Sequence, residues 1–174
     1  ERLLVATDPR LHDSAHYSWL MSQGFRRSGD QIYRPHCQNC NACQSLRVLV
    51  KAFNPSKSQK RLLKRNKHFT IAISKSLKEE YYALYEQYIN EIHVDGAMYP
   101  ASFEQYDNFI RTETFDQIFI EIYDGEQLIS VAATDVLNHA LSAVYTFYHP
   151  DYRKQSLGMY SILCQIEITK QIRK

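Results

Sequence analysis

The chain has 174 residues, 44% of them apolar and 13% aromatic, enough for one domain or two small units sharing a core. No stretch approaches the 18 or so consecutive apolar residues of a membrane-spanning helix, and no signal-peptide pattern is present. The net charge of +2 conceals a strong polarity: residues 31–78 hold eleven Lys and Arg and no Asp or Glu, whereas residues 79–174 hold six basic against fifteen acidic side chains. A soluble protein with half its cations in one acid-free window is built to present them to an anion such as nucleic-acid phosphate. The chain opens at Glu1 without a Met and ends on Lys174 inside an apparent helix, as expected of a fragment truncated at both ends.

In chain order, residues 10–23 have helical spacing, with Leu11, Ala15, Trp19 and Leu20 on one apolar face and Gly24 as a stop signal. GFRRSGDQIYR follows, a hairpin pattern around Ser28-Gly29-Asp30. Next comes HCQNCNACQ, which packs three of the four cysteines, Cys37, Cys40 and Cys43, into seven residues behind His36. Residues 46–50 alternate as a strand. Asn54-Pro55-Ser56 is a helix-start signal. At 100° per residue the helix from Lys57 places Lys57, Lys60, Arg61, Lys64, Arg65 and Lys67 on one arc, with Leu62 and Leu63 opposite. Residues 69–74 alternate as a strand, 78–93 form a Tyr-rich amphipathic helix, and Ser102 caps a short helix ending at 112. The period then changes to two: strands are predicted at 118–123, 128–136 and 140–148, followed by a helix over 156–173.

The spacing Cys-x-x-Cys-x-x-Cys suits zinc or an iron–sulfur cluster, and Cys37, Cys40 and Cys43 are therefore candidate metal ligands. The fourth ligand is not evident: no further Cys follows at ferredoxin spacing, and His36 is adjacent to Cys37. Free or structural thiols are the competing reading. Cysteines so closely spaced do not make a disulfide scaffold, and a cytoplasmic setting is the expectation.

The order helix, helix, antiparallel strands, tight turn, helix is similar to the acetyltransferase-type (GNAT) fold. HPDYRKQSLGMYS resembles that fold's R-x-x-G-x-G/A turn, with Arg153, Gln155 and Gly158 in comparable places and Met159 where a second Gly is expected. Amide groups at such a helix start point at an anion. The fold class expected is α/β (α+β): a small Cys-containing N-terminal region over 1–75, then a GNAT-like transfer domain over 76–174 that lacks its C-terminal part.

Three segments together, GFRRSGDQIYRPHCQNCNACQSLRVLV, FNPSKSQKRLLKRN and LSAVYTFYHPDYRKQSLGMYSILCQIE, resemble the bacterial aspartate/glutamate leucyltransferases of the arginyl-tRNA–protein transferase family. The chain departs from that pattern at Gln44-Ser45, where Pro commonly follows the third Cys. The resemblance implies a further Cys-containing segment before Glu1 and a strand region after Lys174. It also implies a reaction, transfer of an amino acid from its tRNA to a protein N-terminus that begins with Asp or Glu, marking that protein for N-degron degradation. No cofactor is required for such a transfer.

Three tasks follow. The tRNA needs a cationic surface, for which Lys57, Lys60, Arg61, Lys64, Arg65, Arg153 and Gly158 are the candidates, with Lys51 beside them. The acidic N-terminus needs a bidentate guanidinium and hydrogen-bond donors, with Arg34, Arg47, Tyr33 and Ser28 as candidates beside Arg26 and Arg27. The ester needs positioning and polarisation, for which Asp135, Tyr145 and Tyr148, near Ser142, are candidate catalytic residues. Competing functions are an acetyl-coenzyme-A-dependent N-acetyltransferase and a non-enzymatic RNA-binding or metal-sensing module.

Overall fold

The computed structural model describes residues 2–172, folded as two antiparallel sheets with five helices. β1 (Leu3–Val5), β2 (Arg26–Ser28) and β3 (Gln31–Pro35) form a three-stranded sheet in the order β1-β3-β2. Its core joins α1 (Ser14–Ser22) through Tyr17 and Leu20 to Phe25, Ile32, Phe115 and Leu137. The second sheet has the order β4-β5-β6-β7, from β4 (Thr70–Ser74), β5 (Gln117–Asp124), β6 (Gln127–Val136) and β7 (Leu141–Tyr148). α2 (Lys57–Arg65) lies between the sheets in sequence. α3 (Glu80–Ile92) and α4 (Phe103–Ile110) connect β4 to β5, and α5 (Leu157–Ile172) closes the described chain.

Alternation along β5 explains the layering. Phe119 points to α3 and α4, where it meets Tyr81, Tyr85, Tyr106 and Ile110. Ile118, Ile120 and Ile122 point to the other face, packing toward Ile168, Leu157, Tyr160 and Leu62 of α5 and α2. Two bulges interrupt the pairing, one between Ile122 and Tyr123 and one opposite Ala133/Thr134, where Val144 is the extra residue of β7. The second bends an edge strand that no other strand covers among the described residues.

Several expectations hold: the hairpin turns at Gly29, the three strands of period two lie where their alternation puts them, and Ser102 accepts the Gln105 amide as a helix cap. Others need correction. Residues 46–50 form no strand, and Leu46 and Leu49 are largely exposed. Trp19 is 57% exposed, and the buried face of α1 belongs to Tyr17 and Leu20. The last helix begins at Leu157, after a 3₁₀ turn over Pro150–Gln155, and Arg173 lies outside the described residues. β1 is marked by no pattern in the sequence. A boundary at residue 75 leaves α2 and β4 with the first region, yet β4 is an edge of the second sheet and α2 packs on α5.

The two sheets are joined by buried polar contacts. The tip of the β2–β3 hairpin lies under α4, with the Gly29 amide donating to Phe109 O at 3.0 Å. Gly29 has φ +56, and a Cβ there would sit 2.4 Å from Asn108 O, so only glycine allows this approach.

Candidate functional site

α2 is specified by its first turn. The Ser56 hydroxyl accepts from the Gln59 amide at 3.3 Å while Gln59 Oε1 accepts from the Ser56 amide at 2.8 Å, a reciprocal capping box. Lys64 and Arg65 at the far end oppose the negative pole of the helix. Leu62 and Leu63 pack against Phe69, Leu157 and Tyr160. That contact turns Lys57, Lys60, Arg61, Lys64 and Arg65 outward, and Lys67 just beyond the helix is exposed as well. None of these six pairs with a carboxylate among the described residues, unlike a helix face of mixed sign.

The C-terminal end of α2 docks on the turn that opens α5. Buried Asn66 donates from Nδ2 to Gln155 O at 2.8 Å, and the Tyr160 hydroxyl donates to Asn66 O at 3.1 Å. Arg65 Nη2 reaches Ser156 Oγ at 3.5 Å. Ser156 has φ 52, a left-handed conformation uncommon for a residue with a Cβ, and its carbonyl receives the Tyr160 amide. The amides of Leu157 and Gly158 open the helix and lack intrahelical acceptors, as in any first turn. Arg153 is exposed on the same turn. A Cβ on Gly158 would meet Tyr148 Cε1 at 3.9 Å, so the Tyr148 ring borders the turn. The structure thus brings Arg65 to Tyr148, Arg153 and Gly158, from which it is more than eighty residues away in sequence.

The residues nominated to read an acidic N-terminus fall into two places. Arg34 Nη1 donates to Gln23 O at 3.2 Å, and Arg47 Nη2 donates to Met21 O at 3.3 Å and to Ser22 O. Both guanidinium groups therefore gather at the C-terminal end of α1, where carbonyls and the helix dipole favour cations. Arg34 also lies over the Phe25 ring, 5.0 Å from its centroid. Neither is paired with a carboxylate among the described residues. Tyr33 projects from the other face of the small sheet, under the Arg26 guanidinium at 5.4 Å, and Ser28 alternates onto that face too. Arg34 and Arg47 form one potential carboxylate grip; Tyr33 and Ser28 do not share it.

Between these arginines runs the loop 36–46. Cys40 and Cys43 are exposed and Cys37 half-buried, its Sγ accepting from the Arg2 amide at 3.4 Å. Among the described residues no three His, Cys, Asp or Glu side chains are gathered as metal ligands. The thiols are thus not assembled around a common point by the residues present. The fourth cysteine, Cys164, is buried in α5, and burial pushes its thiol up to about 11.

The carboxylate nominated for catalysis sits elsewhere than in a cleft. Asp135 is fully buried and is gripped by Arg27 in a bidentate pair, from Nε at 2.8 Å and Nη2 at 2.7 Å. The Tyr17 hydroxyl donates to the same carboxylate at 2.6 Å. It is fully buried and accepts three hydrogen bonds from these partners, so Asp135 ties β6 to β2 and α1 and faces no open cleft. Tyr145 is packed among Phe109, Tyr85 and Tyr88, and burial raises its phenol well above the usual range. A cleft of about 450 Å³ lies at the opposite end of β7 from the α5 turn, by Ser14, Asp116 and His139, and meets none of these residues.

Comparison with known proteins decides the relationship. Residues 1–61 match the model of "Arginine-tRNA-protein transferase, N terminus" and residues 80–174 that of "Arginine-tRNA-protein transferase, C terminus". The chain belongs to the arginine-tRNA–protein transferase family. It is 49% identical over all of its length to a protein of Pseudoalteromonas atlantica named aspartate/glutamate leucyltransferase, covering 75% of that relative. Proteins of the same name from Aeromonas hydrophila (47% identity, 98% of this chain, 72% of the relative) and Vibrio cholerae (44% identity, 100% and 75%) are similar over the same span.

In this family member, Arg27, expected beside the candidates for the acidic N-terminus, is instead buried on Asp135, and Tyr17, which shares that carboxylate, is marked by nothing in the sequence. For Arg27 the signal is available in part: Phe25 and Arg27 share a parity, so a strand that buries one buries the other. Asn66, which ties α2 to the α5 turn, carries no pattern of its own.

Proposed function

We propose that this chain is the greater part of an aminoacyl-tRNA–protein transferase that moves leucine from Leu-tRNA to proteins beginning with Asp or Glu. The observation that carries this reading is the 49% identity over the whole chain to a relative with that name. The acid-free row on α2 supports it, because a tRNA needs such a surface. The arginine pair at the end of α1 supports it as well, since Arg34 and Arg47 suit a side-chain carboxylate. No helix of the described residues is long and apolar enough to cross a membrane, and a cytoplasmic site of action fits a protein that works on tRNA.

The chemistry asks little of the enzyme. The nucleophile is the substrate's own α-amine, whose ordinary pKa of ~7.7–8.0 leaves a useful neutral fraction near pH 7.5. Its nitrogen attacks the ester carbonyl of the charged tRNA and the carbonyl oxygen becomes an oxyanion. The tetrahedral intermediate collapses by expelling the ribose oxygen. One proton leaves the nitrogen and one reaches that ribose oxygen, so the step balances without metal, oxidant or enzyme nucleophile. Catalysis then rests on positioning and on donors toward the oxyanion. Of the nominated residues, Tyr148 is placed beside the α5 turn and can donate to the ribose or the carbonyl. Tyr145 packs on Tyr88, which in turn packs on Tyr148. No cofactor is needed for this sequence of bonds.

The test is a transfer assay with the full-length protein, comparing Leu-tRNA and Arg-tRNA as donors against peptides that start with Asp, Glu or Ala. Labelling of the Asp and Glu peptides from Leu-tRNA alone is expected. Labelling only from acetyl-coenzyme A would overturn the reading in favour of an acetyltransferase. RNA binding without any turnover would favour a non-enzymatic binding module.

A further inference from the structure

Three aromatic side chains, His93, Tyr88 and Tyr148, form a contiguous row that reaches the α5 turn. Tyr85 of α3 and Tyr106 of α4 are buried in the core against Phe147. Tyr88 and Tyr148 are only half-buried, and His93, which ends α3, is exposed. The ring centroids of Tyr88 and His93 are 4.8 Å apart, edge to face at 66°, and those of Tyr88 and Tyr148 are 4.9 Å apart, tilted at 59°. Tyr148 borders Gly158, so the row begins at the turn where Arg65 and Arg153 are exposed and ends at His93, at the C-terminal end of α3.

Charge changes along this path. The α2 surface and the turn carry cations, whereas the end of α3 carries Glu91 and Asp95, both exposed. Phosphates are favoured at the first part and disfavoured at the second. A nucleobase, which is neutral and has a flat face, is suited to the second. Exposed aromatic rings next to a cationic groove are the usual receptor for single-stranded nucleic acid, where bases stack without being read by hydrogen bonds.

We propose that His93, Tyr88 and Tyr148 form a stacking platform for the single-stranded 3′ end of the donor tRNA, with α2 and the turn holding the phosphates behind it. This rests on the reading of the chain as a tRNA-dependent transferase, and it adds where the reactive end of the RNA lies. The three rings orient the end, and of the three only the Tyr148 hydroxyl, beside the α5 turn, also reaches the reacting ester.

The experiment measures binding of two uncharged RNAs, the intact tRNA and the same tRNA lacking its last three nucleotides, to the full-length protein. Wild type should bind the intact form about fivefold or more tighter, as one stacked base provides. His93→Ala and Tyr88→Leu should bring that ratio toward one, while Tyr88→Phe, which keeps a ring, should restore it. Arg61→Glu with Arg65→Glu should weaken both RNAs and leave the ratio standing. An unchanged ratio in folded His93→Ala and Tyr88→Leu protein overturns the platform, even if leucine transfer from the same preparation is intact. Failure to bind either RNA overturns the platform and the tRNA reading together, whereas a ratio lost in the variants supports the platform whichever amino acid is transferred.

Discussion

At the scale of single residues, the decisive contact is Asp135 with Arg27 and Tyr17. A fully buried carboxylate and guanidinium are tolerated because each satisfies the other in two hydrogen bonds, with the phenol as a third donor. Removing one partner leaves an uncompensated buried charge. Arg27→Ala is therefore expected to cost about 3–5 kcal/mol in urea unfolding. Replacing both charges by apolar side chains of similar volume, as in Arg27→Met with Asp135→Leu, should recover much of that loss. A single Arg27→Ala variant as stable as wild type would show the pair to be dispensable. The same residues show what the sequence hides. Asp135 stands in a strand of period two, and that pattern alone points it to a cleft. Its burial depends on two residues more than a hundred positions away, which no local pattern reveals. Glu121 is a parallel case: a buried carboxylate of β5 that Lys78 reaches at 2.5 Å and to which the Tyr81 hydroxyl donates.

At the scale of elements, the legible ones are those with a strong period or strong punctuation. The basic helix announces itself through Ser56, its cations and the Leu62–Leu63 pair; the β5–β6–β7 meander does so through alternation. The segment 46–50 alternates as well, yet it pairs with no strand and its leucines stay in solvent, so alternation alone does not make a strand. The 3₁₀ turn before α5 carries no separate signal, because Pro150 suits the start of either kind of helix. The β2–β3 hairpin shows how one element is held by another. Gly29→Ala must adopt φ +56 and place a methyl group against Asn108 O, so α4 or the hairpin has to move. The expected loss is about 1–3 kcal/mol, read as a lower thermal midpoint. An unaltered midpoint would mean that the hairpin docks loosely on α4.

For the whole molecule, charge segregation is the property most directly legible in the order of residues. The cations of α2 and the α5 turn converge because Asn66 and Arg65 dock one on the other, a contact between segments that no spacing along the chain encodes. Arg34 and Arg47 are recognisable as candidates from their type and position alone, but their separation from Tyr33 and Ser28 follows from which face of a small sheet each occupies. If the α2 row carries the RNA, association must release counterions. Arg61→Glu with Arg65→Glu is then expected to weaken tRNA binding and to flatten its dependence on log salt by roughly 0.7–0.9 per lost phosphate contact. A slope identical to wild type would remove α2 from the RNA surface.

The join at Asp135 has a mechanical consequence. Asp135 pairs with Ser142 near one end of β7, and Tyr148 lies six residues on, about 20 Å along an extended strand. The small sheet is bolted near the first of these points and the α5 turn adjoins the second. The join thereby sets the spacing between the small sheet and the α5 turn. If the small sheet receives the acidic N-terminus and the turn receives the tRNA, an RNA end too short to cover that span should go unused however well its body is held.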